Sequence, residues 1–85
     1  MSYQIVLRPA AVRALKRIGG KDRDRIRGAI ALLGKDPRPP GAKALRGRPG
    51  LRVRIGDYRT IYTVEDNILV VAVIALGRRR AVYDR

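Results

Sequence analysis

Three arginines fall within eight residues in L-R-V-R-I-G-D-Y-R, at positions 52, 54 and 59. Arg52 and Arg54 are two apart, which places them on one face of an extended strand. Gly56-Asp57 reads as a two-residue hairpin turn, so Ile55 should pair with Tyr58 and Arg54 should lie opposite Arg59. One face then carries Leu51, Val53, Ile55, Tyr58, Thr60, Tyr62 and Val64, and suits a core. The other carries Arg52, Arg54 and Arg59 with Ile61 and Thr63. Like charges directly opposite one another on neighbouring strands repel. An ordinary solvated sheet face mixes signs, yet the nearest acids, Asp57 and Glu65, sit at the turns. Such a cluster is expected to be a preformed anion site, with guanidinium forks matched to phosphate oxygens.

A second basic group follows the last apolar run, in Gly77-Arg78-Arg79-Arg80, with Val82 and Tyr83 close behind. Counting the register through a turn at Asp66-Asn67 puts Ile74 beside Arg59, with Ala72 and Val70 further along that face. The third strand runs back toward the Gly56-Asp57 turn, so the loop is expected to emerge near Arg54 and Arg59. Tyr83 could there stack on a splayed-out base. The plainer alternative is a basic tail whose tyrosine merely packs.

Composition narrows the chemistry. The 85 residues contain no cysteine and no histidine, so thiolate nucleophiles, disulfides and the usual metal ligands are absent, as is the usual acid–base residue. No metal and no cofactor are expected. Twenty Lys+Arg against seven Asp+Glu give a net charge of +13. The excess runs through the whole chain, as in a basic body rather than a basic tail. A field of this sign draws phosphate backbones in by counterion release, and would equally suit an acidic protein partner. The longest apolar run, Ile68 to Leu76, is far short of the roughly 20 residues that span a bilayer. No leader pattern opens the chain, and a cytoplasmic protein without membrane association is expected.

The elements that must position these residues can be read in turn. Residues 1–85 suit a single small domain. Ser2 to Leu7 reads as a strand with Tyr3, Ile5 and Leu7 on one face and Val6 on the other. Pro9 suits a first helical turn. Val12, Leu15 and Ile18 then recur at intervals of three, and Gly19-Gly20 is expected to end that helix. A second helix, capped at Gly20 or Asp22, carries Ile26, Ile30 and Leu33 and stops by Gly34 and Asp36-Pro37. Residues 35–50 read as a Pro/Gly-rich connector. After it come strands over 51–55, 58–64 and 68–76. The fold class is therefore α+β: an N-terminal strand, a helical hairpin and a three-stranded antiparallel meander, β-α-α-β-β-β, with helices on one face.

The stretch L-R-V-R-I-G-D-Y-R-T-I-Y-T-V (51–64), the following strand, G-R-R-R-A-V-Y (77–83) and K-A-L-R-G (43–47) resemble the RelE/ParE toxin superfamily of type II toxin–antitoxin systems, in its RelE-like branch. The resemblance implies a ribosome-dependent mRNA endoribonuclease in which the 2′-hydroxyl attacks the adjacent phosphate. By position it implies that Arg52 and Arg54 bind phosphate where relatives carry paired lysines. It further implies that Arg59 stabilises the charged transition state, Arg79 acts as general acid and Tyr83 stacks on the substrate base. Arg78, Arg80, Lys43 and Arg46 are implied to bind substrate. Guanidinium is a poor general base, so electrostatics or ribosomal groups must carry more of the work here. The implied partners are the ribosome, mRNA and an acidic, RelB-like antitoxin, with operator DNA reached through the toxin–antitoxin complex. The chain ends two residues after Tyr83, so the C-terminal helix of some relatives is expected to be missing, leaving a groove for an antitoxin helix. The alternatives are a ParE-like inhibitor of DNA gyrase, and an inactive nucleic-acid-binding relative that acts with its antitoxin.

Overall fold

The computed structural model describes residues 2–78. Its elements are β1 (Gln4–Leu7), α1 (Pro9–Arg17), α2 (Gly20–Leu33), β2 (Lys43–Ala44), β3 (Leu51–Ile55), β4 (Tyr58–Glu65) and β5 (Val70–Arg78). The five strands form one sheet in the order β1-β5-β4-β3-β2. Pairing is antiparallel throughout, except that β1 lies parallel to β5 at the edge. Both helices cover one face, giving the α+β layering expected from the change of hydrophobic period. Among the described residues no helix is long and apolar enough to cross a membrane.

The core lies between that face and the helices. Ala11 and Leu15 of α1, with Ile18, meet Ile26, Ile30 and Leu33 of α2. Ile55, Tyr62, Val71, Val73 and Leu76 supply the sheet side. Tyr3, Ile5 and Leu7 pack against this cluster while Val6 is exposed, so the alternation along the first strand holds. The first helix does not end on a left-handed glycine. Ile18 and Gly19 are both extended, Ile18 is buried, and Gly20 is already the first residue of α2. Asp22 sits in the first turn of α2, where its charge complements the helix dipole.

Gly34 follows α2 at a close crossing. The Tyr3 amide donates to its carbonyl at 2.6 Å, and a Cβ there would lie 3.0 Å from the Tyr3 carbonyl oxygen. Only glycine fits such an approach without displacement.

Two further expectations are corrected. The connector holds a strand of its own: β2 pairs Lys43 with Arg52 and Ala44 with Leu51. Two residues are too few to leave a periodic trace in the sequence. The β4–β5 turn is longer than Asp66-Asn67, with residues 66–69 between the paired Glu65 and Val70. Leu69 there takes φ 54, a left-handed backbone that a leucine rarely adopts and that no residue type announces. The register therefore slips by two, and a β-bulge opposite Ile61/Tyr62 adds one more residue to β5. Arg59 consequently faces Gly77 rather than Ile74.

Candidate functional site

The face of the sheet away from the helices carries the basic cluster. Gly56 takes φ +61 and closes the β3–β4 hairpin with Asp57, as a two-residue turn with glycine at its first central position demands. That turn sets Arg54 opposite Arg59 and Arg52 opposite Ile61. On the outer side, β2 places Lys43 beside Arg52. Directly paired residues share a face, so Lys43, Arg52, Arg54 and Arg59 all stand on the helix-free side. A cavity of about 320 Å³ there is lined by Gly41, Lys43, Arg52 and Arg54.

The cations are graded in depth. Lys43 and Arg54 are exposed and Arg52 is half-buried, while Arg59 keeps 9% of its surface accessible. Burial of Arg59 was not foreseen from the sequence. A recessed guanidinium acts in a lower dielectric than an exposed one, which strengthens its pull on an arriving anion.

The remaining basic residues separate. Arg78, expected in the basic loop, is the last residue of β5 and pairs with Tyr58, whose ring packs against the core. Its guanidinium carbon lies 5.6 Å from the Tyr58 ring centroid, a cation–π distance on the helix side of the sheet. Arg78 is thus on the face opposite Arg52, Arg54 and Arg59. Arg46 is exposed in the bend after β2 and does not line the cavity. Arg79, Arg80 and Tyr83 lie outside the described residues.

Sequence reasoning missed what fastens the connector that brings Lys43 into place. The Tyr62 hydroxyl, wholly buried, donates to the Pro37 carbonyl at 2.7 Å. Next to Pro37, Arg38 grips Asp66 through two hydrogen bonds, of 3.2 and 2.8 Å. The Tyr3 hydroxyl donates to the same carboxylate at 2.6 Å. Residues 3, 38 and 66 are too far apart in sequence for any local pattern to join them.

The Arg38 guanidinium, helped by the Tyr3 hydroxyl, lowers the Asp66 carboxyl from 3.8 to about 2. A carboxyl whose folded value lies below its unfolded one contributes stability that is present above about pH 4. That contribution is lost as the pH falls through about 2. Asp66→Asn should therefore unfold at a lower temperature than the parent at pH 7, with the gap closing near pH 2. Melting curves at the two pH values test this, and a gap of equal size at both would refute the linkage.

A basic, five-stranded sheet thus carries a helical layer on one face and a cation cluster on the other. Residues 5–83 match the family model described as ParE toxin of type II toxin-antitoxin system, parDE, and the chain belongs to this RelE/ParE toxin superfamily. It is 29% identical over 82 residues to the mRNA interferase toxin RelE of Escherichia coli (strain K12), covering 93% of this chain and 85% of that one. Among solved structures, the archaeal RelE–RelB complex from Pyrococcus horikoshii OT3 superposes with a TM-score of 0.79 at 26% identity. That match covers 93% of this chain and 97% of the other. The intact E. coli RelBE toxin–antitoxin complex gives a TM-score of 0.75 at 28% identity, covering 91% and 96%.

Proposed function

We propose that this toxin is a ribosome-dependent mRNA endoribonuclease held in check by an acidic antitoxin. The observation that carries the reading is Arg54 set directly opposite Arg59 beside Arg52 and Lys43 on the helix-free face. The mRNA interferase name of the E. coli relative supports it. In the proposed reaction the 2′-hydroxyl attacks the adjacent phosphorus, the 5′-oxygen leaves, and negative charge builds on the phosphoryl oxygens. Arg52 and Arg54 grip that phosphate and Arg59 stabilises the developing charge. The 2′-hydroxyl proton passes to a ribosomal group, because a guanidinium is a poor base. Arg79 protonates the leaving oxygen and Tyr83 stacks on the substrate base, the roles the family resemblance implies.

The antitoxin reading draws on solved relatives bound to RelB. A groove of about 520 Å³ between α2 and β3 suits it, with Ala29, Leu32, Leu33, Val53 and Ile55 as apolar lining and Arg25, Lys35 and Asp36 among its charged residues. Leu32 is 64% exposed there, which an apolar side chain of an acidic helix would cover. Operator DNA would be contacted through the resulting complex.

The test is purified toxin added to ribosomes programmed with a defined mRNA, followed by primer extension. Cuts within the A-site codon, abolished by the cognate antitoxin, are the expected result. The ParE name of the matching family model favours a second reading, inhibition of DNA gyrase. A supercoiling assay with the same preparation decides between them: inhibited gyrase with intact mRNA would replace the nuclease reading.

A further inference from the structure

The β5 bulge has a consequence for the basic face. Up to Tyr62 the two strands pair so that Tyr62 meets Val73 and Thr63 meets Ala72. Continued without interruption, that register would set Leu76 opposite Arg59. The extra residue advances β5 by one, so Ala75 meets Ile61, Leu76 meets Thr60 and Gly77 meets Arg59. Two side chains change places as a result. Leu76 turns into the core, where it keeps 6% of its surface. Gly77, with no side chain, takes the position beside the recessed arginine. Bulges cluster near functional sites because they re-aim side chains, and a glycine inside a strand often marks the close approach of another group.

We propose that Gly77 is a positioning residue of the RNA cleft, its missing side chain keeping open the place where a phosphate reaches Arg59. The inference rests on the nuclease reading and deepens it. A leucine in that position would stand over the guanidinium and hold the backbone of the RNA away. The residue set beside Arg59 therefore depends on an insertion in β5 as much as on the β3–β4 hairpin. Nothing in Gly77 itself does chemistry: it acts through Arg59.

The test is a graded series, Gly77→Ala and Gly77→Val, alongside Arg59→Met. Valine favours extended backbone, so the melting temperature is expected to stay near the parent value. The readout is binding of a fluorescent single-stranded RNA hexamer across a range of salt concentrations, with cleavage on programmed ribosomes in parallel. Each lost phosphate contact lowers the slope of log affinity against log salt by about 0.7 on a single strand. Gly77→Val should lower the slope by about that amount and reduce cleavage by about 100-fold, with Gly77→Ala intermediate. A merely structural role would lower the melting temperature and leave the slope alone. If Arg59→Met lowers the slope but a well-folded Gly77→Val does not, the inference fails while the nuclease reading stands. If neither variant lowers it, both fail.

Discussion

Arg59→Met is expected to lower mRNA cleavage by about 10²–10³-fold, the usual cost of deleting one preorganised group that faces developing charge. Arg59 is chosen over Arg52 and Arg54 because it is the most recessed of the three, at 9% exposure. The same charge is worth more where water is excluded. Methionine keeps an unbranched apolar stem in the space while removing the cation, and a melting curve taken in parallel establishes that the variant is folded. Arg59→Lys is expected to fall between the two, because a point charge replaces a planar fork. Single-turnover cleavage on programmed ribosomes measures this effect apart from ribosome binding. An Arg59→Met protein that is folded and cuts at the parent rate would remove the arginine face from the mechanism.

The part of this site that was legible in the sequence is the part set by a short turn. Gly56-Asp57 is a strong hairpin signal, and from it the Arg54–Arg59 pairing followed directly. The β4–β5 register was illegible for two physical reasons. Asp66-Asn67 looks like a tight turn, yet Asp66 is held by Arg38 and Tyr3 while Leu69 takes the left-handed conformation. Tertiary contacts thus override local turn chemistry. The bulge leaves no mark either, because Ile74 and Ala75 could equally belong to a regular strand; only the burial of Leu76 beside an exposed Ile74 reveals it. Arg78 was misplaced through the same slip, since two more residues of strand carry it past the loop. β2 depends on the order of strands across the sheet, which alternation along a single strand cannot supply.

The second large effect is on stability, at Tyr62. Its ring is wholly buried within the main core, and its hydroxyl donates to Pro37 at 2.7 Å. Burial pushes the phenol above its ordinary value, so it stays protonated and able to donate. Tyr62→Ala removes a large apolar body and leaves a cavity, at a cost of about 3–5 kcal/mol. A small domain has only about 5–15 kcal/mol to lose, so much of this protein is expected to unfold at growth temperature. Tyr62→Phe keeps the ring but leaves the Pro37 carbonyl without its donor, at about 1 kcal/mol. The two variants therefore separate packing from tethering. Urea midpoints at a fixed slope measure both, and equal midpoints for Tyr62→Phe and Tyr62→Ala would show that the hydroxyl, rather than the ring, holds this region together. The tether has a second reading, because Pro37 opens the connector that delivers Lys43 to the edge of the basic face. Loosening it in Tyr62→Phe should weaken RNA binding slightly while Arg59, held within the central strand, keeps its place.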